Sequence, residues 1–259
     1  MGYLLPGVFL VFGVFVTYNS TDLFHDFGKF VKTNSTSVSF EISVVLVAVV
    51  YIIGHFFSFL SGFTVEKFSV WFFGAPEAYL FEKQPVQYFK EVHRKPADLL
   101  IRIGIFLAIL PMSLFSLIAL RTGKLDLVER SIPETYQIAL RKRFSELFPE
   151  IDFHTSDYFG LVYHYSFESF EGHAAKFQNY VALYGFTRCM SLVFTILLWY
   201  SICALFAGLL GIDLALIFIP GAMLHSIVFF LAYNKFYRRF HLEVVMAFIS
   251  VAKPESTEA

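Results

Sequence analysis

Apolar residues in this chain come in uninterrupted runs, not at the spacing of a single buried helical face. Residues 40–63, FEISVVLVAVVYIIGHFFSFLSGF, carry no charge after Glu41. At about 1.5 Å per residue such a run outreaches the roughly 30 Å hydrocarbon layer, which predicts a transmembrane helix with length to spare for tilt or protrusion. Residues 189–212 are equally free of charge, and 214–231 follow so closely that the two predict an antiparallel hairpin turning at Gly211 and Asp213. Ala204, Gly208 and Gly211 fall on one side of the first of these and predict a close packing face. Residues 103–120 lie between Arg102 and Arg121, placed like snorkelling anchors, and Pro111 removes a backbone hydrogen bond at their centre. A kinked span is expected there, with a re-entrant hairpin as the alternative. Residues 3–18, with Pro6 among them, are short for a crossing and predict a first span or a shallow re-entrant element.

The stretches between the runs are amphipathic. Residues 64–98 mix Trp71, Phe72, Tyr79, Tyr88 and Phe89 with Lys and Glu, and Gly74, Pro76, Pro85 and Pro96 interrupt them, which predicts a segment lying along the headgroup layer. Residues 19–39 suit a short interfacial helix. The only long polar region, 121–179, predicts a small helical domain outside the bilayer. Within it, Ser131 and Glu134 around Pro133 have the spacing of a capping box, and Tyr136, Leu140, Phe144 and Leu147 share a face with Arg141, Lys142 and Arg143 turned away. A second amphipathic helix, 161–176, feeds the next span, with Gly172 as a joint. The fold class expected is an all-α polytopic membrane protein with four or five spans. It divides into an N-terminal membrane region (1–120), the polar region (121–179), a C-terminal hairpin (180–240) and an amphipathic tail (241–259).

Composition agrees with lipid as the solvent, since 57% of residues are hydrophobic and only 16% charged. The 34 phenylalanines are accounted for by bilayer contact and helix packing. A formal net charge of -1 leaves no field for capturing nucleic acid. Cys189 and Cys203, fourteen residues apart on one expected helix, are too distant to bridge each other. The N-terminal run lacks a preceding Lys or Arg and reads as a retained segment. The sequons at Asn19 and Asn34 carry meaning only in a eukaryotic secretory setting. Eight Lys or Arg in 121–188 and four after residue 231, against six in 64–102 on the opposite face, place the polar region and the C-terminus in the cytoplasm.

Several groups could carry chemistry. His55, Ser58 and Ser61 form a polar stripe near the end of a span, and with Arg102, Asp213 and His225 they could serve an ion or proton path. A neutral histidine bonded to a neighbouring helix accounts for His55 equally well, and Glu66 lies too far along the helix to be given a role beside it. His164, Glu168 and Glu171, with His173 close by, would share a helical face and could hold a divalent metal, although solvated amphipathic helix is the simpler account. Lys235, Arg238 and Arg239, interleaved with aromatics beside a span, suit anionic lipid headgroups. The run GHFFSFLS from Gly54 to Ser61, with Glu66, Pro76 and LYGFTRCMS around Arg188, resembles multi-spanning bacterial proteins to which no activity is attached. That resemblance implies an inner-membrane setting and transfers no site. The function expected is a non-enzymatic, oligomeric pore-forming or membrane-perturbing effector governed by its cytoplasmic region, which could dock a protein partner, with no cofactor. A small ion- or proton-coupled transporter and a metal-dependent membrane enzyme are the alternatives.

Overall fold

A computed structural model describes residues 4–18, 40–80, 88, 96–122, 131–153, 157–169 and 171–250, and among them every regular element is helical. Helix α1 is Leu4–Tyr18 and α2 is Phe40–Ser61. A π-helical turn, Gly62–Glu66, joins α2 to α3, Lys67–Phe73, in one rod that Gly74 ends at φ 87°. There follow a single turn α4 (Pro76–Tyr79), α5 (Pro96–Ala108), α6 (Leu110–Arg121), α7 (Glu134–Leu147) and α8 (Tyr158–Ser169). The two longest helices close the chain: α9, Glu171–Phe206, of 36 residues, and α10, Ile212–Ser250, of 39.

Three rods are long and apolar enough to cross a membrane: Val47–Phe73, His173–Phe206 and Ile212–Ser250. The α5–α6 pair makes a fourth only if counted as one span. Helix α1 is apolar, yet at about 1.5 Å per residue it is too short to cross roughly 30 Å unaided. The rods expose Ile52, Phe56, Phe59, Leu216, Ile217 and Leu224, an apolar belt that water would disfavour and hydrocarbon would cover.

Among the described residues, a small cluster of Ala204, Leu210 and Ala215 closes the α9–α10 turn, and two larger cores make up the rest of the interior. One lies within the belt and centres on Phe68, whose ring meets those of Phe72, Tyr88, Phe106 and Phe230 at centroid distances of 5.4 to 6.3 Å. The other lies beyond it, where Leu140, Phe144, Val162, Phe177, Phe240, Val244 and Phe248 join α7 and α8 to α9 and α10. Helices α9 and α10 therefore run through both. Small hydroxyls bond them within the belt: Ser191 Oγ donates to the Ser226 carbonyl at 2.9 Å, and the hydroxyls of Thr195 and Ser226 meet at 2.8 Å.

Helix α9 stops at Phe206, short of the expected 212. Gly208 takes φ 71°, and the N–H groups of Leu209 and Leu210 both donate to the Ala204 carbonyl, closing the helix end. Gly208 and Gly211 thus make the connection instead of a packing stripe, while Asp213 sits in the first turn of α10, where the helix dipole favours an acid. The close helix approach is at Gly7 of α1, where a Cβ would stand 2.3 Å from the Val50 carbonyl oxygen of α2.

The break near Pro111 is far sharper than a kink, with α5 and α6 meeting at 98° around Ile109. Pro111 lacks an N–H and suits the first turn of a new helix, so it starts α6 and does not bend a continuing one. Carbonyls released by such a break need partners in an apolar setting. The Ser113 hydroxyl donates to the Phe106 carbonyl at 2.8 Å, and the Trp199 indole N–H donates to that of Ala108 at 2.9 Å.

The segments on either side of this bend meet. The Ile132 N–H donates to the Leu80 carbonyl at 2.9 Å and the Tyr158 hydroxyl to the Glu77 carbonyl at 2.6 Å, so the segment after α3 and the polar region touch outside the apolar belt. They were expected on opposite faces. By its bend the α5–α6 pair is either one broken span or a re-entrant loop.

The cap expected of Ser131 is also absent. Helix α7 begins at Glu134 behind an extended Pro133, no side chain caps it, and Ser131 is exposed. The docking of Ile132 against Leu80 sets the entry instead. Ser131→Ala should therefore leave stability within about 0.5 kcal/mol of the parent, where loss of a working cap costs about 1 kcal/mol; denaturation in mixed micelles would register the difference.

Candidate functional site

Polar chemistry concentrates at the π turn. An i→i+5 turn takes more residues per turn than an α turn, so it holds back the residues after it by roughly a quarter turn. Glu66 thereby comes round to the face of Ser58 and Ser61, and this face meets Arg188 of α9. The guanidinium donates from Nη1 to Glu66 Oε2, from Nε to Ser61 Oγ at 3.2 Å and from Nη2 to the Ser58 carbonyl at 3.4 Å. Ser61 is wholly buried and gives its only proton to the Ser58 carbonyl at 2.9 Å, so the Cys189 thiol is the donor in their 3.4 Å contact. Arg188 and Glu66 expose 14% and 31% of their side chains, enough cover that each charge needs the other.

Beside this pair opens a groove of about 790 Å³, lined by His55, Ser58, Phe59, Gly62, Phe63, Glu66, Lys67, Val70, Trp71 and Arg188. The Lys67 ammonium lies 4.3 Å over the Phe63 ring. A Cβ on Gly62 would lie 3.7 Å from the guanidinium, so the missing side chain keeps Arg188 open to the groove. His55 stands at the other end of the groove, edge-on to Tyr51 at 4.5 Å. Of the stripe read from sequence, His55, Ser58 and Ser61 are thus found along this one groove and its wall.

The other expected residues are dispersed. Arg102 is clamped outside the groove: Nη1 donates to the Tyr88 carbonyl at 2.5 Å, the Tyr88 hydroxyl donates to the Arg102 carbonyl at 2.9 Å, and the guanidinium covers the Trp71 ring at 4.7 Å. His225 donates from Nδ1 to the Gly221 carbonyl at 2.7 Å, stacks on Phe194 at 4.9 Å and lines a separate apolar cavity against α1. Asp213 is exposed at the start of α10. His164 and Glu168 lie on α8, whereas Glu171 and His173 lie on α9, because the helix expected to carry the first three ends at Ser169. Among the described residues no three His, Cys, Asp or Glu side chains converge on a metal site. Lys235 and Arg239 are exposed on α10, and Arg238 and Arg239 line a second groove with Glu134, Tyr136 and Glu243. Arg143, expected to face away, is half-buried over Phe248 at 5.9 Å.

A second polar cluster ties α4 to the outer core. Buried His241 has Nδ1 2.9 Å from the Tyr237 carbonyl and Nε2 3.2 Å from Glu77 Oε2, and its ring stacks on Phe159 at 4.3 Å. The Tyr237 carbonyl can only accept, so Nδ1 carries a proton and Nε2 is the nitrogen turned to the carboxylate. Burial pushes the Glu77 carboxyl up, but the hydrogen bond and charge of His241, with the residue's own backbone, outweigh it and hold Glu77 below the ordinary carboxylate range. Burial first, then the charges of Glu77 and Asp157, push the Tyr158 phenol well above its usual value and keep it a donor. A depressed carboxyl stabilises the fold above its unfolded value and loses that contribution as pH falls through the folded one. Relative to Glu77→Gln, the parent should therefore be more stable at neutral pH by about 0.5 kcal/mol, solvent screening the partly exposed carboxylate, with the gap closing below about pH 4.5. Unfolding of both proteins across that range would check the sign.

Arg188 was missed in the sequence as a site residue, although a lone cation at the edge of an apolar run is itself a signal that asks for a partner. Compared with known protein families, curated proteins and solved structures, the chain matches none.

Proposed function

We propose that the chain is a non-enzymatic, multi-spanning membrane protein that acts as an oligomer, forming a pore or perturbing the bilayer under control of its outer helical region. The observation that supports this reading is the continuity of α9 and α10 through both cores. A partner that shifts α7 or α8 moves the same two rods that face lipid, because an unbroken helix transmits rotation along its length. The outer region faces the cytoplasm in this reading. In the same reading the α5–α6 pair is a re-entrant loop and the segment after α3, which touches the polar region, shares its side; the stretches starting and ending on that side then carry every Lys and Arg except Lys29 and Lys32, a strong positive-inside bias.

Purified protein added to dye-loaded vesicles and to planar bilayers should produce leakage or conductance, with a native mass above that of one chain. Intact vesicles, silent bilayers and a strictly monomeric mass would sink the proposal. For orientation, a cysteine at exposed Ser145 should react with an impermeant maleimide in inverted membrane vesicles and resist it in intact cells; the reverse pattern would place the region outside.

A further inference from the structure

We propose that the groove between the α2–α3 rod and α9 binds one anionic phospholipid, with its phosphate against Lys67 and Arg188 and an acyl chain along Phe63 and Phe59. The order of residues along the rod is the order of a lipid. Trp71 and Lys67 stand at the end nearest the outer core, where indole rings and long cations favour the headgroup layer. Phe63 and Phe59 come next, and Phe59, 76% exposed, belongs to the apolar belt. Charge selects the headgroup. Glu66 would repel a phosphate but is neutralised by Arg188, which leaves the Lys67 ammonium in excess. Gly62 keeps the guanidinium within reach, and a guanidinium has five N–H groups, more than its bonds to Glu66, Ser61 and Ser58 engage. A zwitterionic lipid would bring its own cation to the same place and gain less. The site is distinct from Lys235, Arg238 and Arg239 on α10 and needs only a bilayer around the belt, not a pore.

Native mass spectrometry of the full chain, released from micelles holding equal phosphatidylglycerol and phosphatidylcholine, should find one phosphatidylglycerol retained in preference to phosphatidylcholine. Lys67→Gln, at an exposed position that does not threaten folding, should weaken that retention about fivefold, whereas Lys235→Gln should leave it unchanged. Excess inorganic phosphate should not displace the lipid, because the acyl contacts hold it. Equal retention of the two lipids, a preference untouched by Lys67→Gln, a preference lost instead with Lys235→Gln, or full displacement by phosphate would each overturn the proposal. Vesicle leakage is read separately, so failure here and failure of the pore reading are told apart.

Discussion

Arg188→Ala should destabilise the protein by about 3 kcal/mol in mixed-micelle unfolding, because it strands a mostly covered Glu66 carboxylate beside the apolar belt. The Ser58 carbonyl and the Ser61 hydroxyl lose a donor in the same step. The loss is one of imbalance more than of net attraction, since bringing both charges out of water has itself cost free energy. It follows that Arg188→Gln combined with Glu66→Gln should recover most of the deficit, as two neutral amides can share the hydrogen bonds without an uncompensated charge. An Arg188→Ala protein as stable as the parent, or a double variant no better than the single, would show that the pair is not holding the π turn against α9.

The second large effect is expected at Gly7. A methyl group there would stand 2.3 Å from the Val50 carbonyl oxygen, and a main-chain atom inside α2 cannot swing aside. Gly7→Ala must push α1 off α2, at about 2 to 3 kcal/mol. Gly13 on the same helix is the control. Its nearest obstacles are the Leu197 methyl carbons at 2.6 and 2.8 Å, ends of a side chain that can turn, so Gly13→Ala should cost less than about 1 kcal/mol. Equal losses for the two would mean that helix approach is not what limits packing at Gly7.

Helices and apolar rods were legible because a long uncharged run has few other places to go. The rotation at the π turn and the sharpness of the α5–α6 break were not. Glu66 was given no role beside His55 because it lies too far along the helix, and nothing local in GFTVE announces the π turn that brings it to the face of Ser58 and Ser61. Pro111 marked the break between α5 and α6, but whether a proline bends a span or folds it back depends on who satisfies the released carbonyls. Here one donor is Trp199, far along the chain. Ser131 failed as a cap for a related reason: its neighbour Ile132 was already committed to Leu80. Composition could point to none of these, because each depends on a contact between residues remote in sequence.

The connection between α9 and α10 has a consequence for biogenesis. Residues 207–211 carry no charge, and only Asp213 follows before the next long apolar stretch. An insertion machinery would have little polar cargo to translocate at that tip, so both helices can enter as a preassembled pair, with Arg188 and Lys235 as brakes at the trailing ends. A few lysines placed between Ala207 and Ile212 would make entry stepwise and leave the second helix vulnerable to quality-control proteases before its partner arrives.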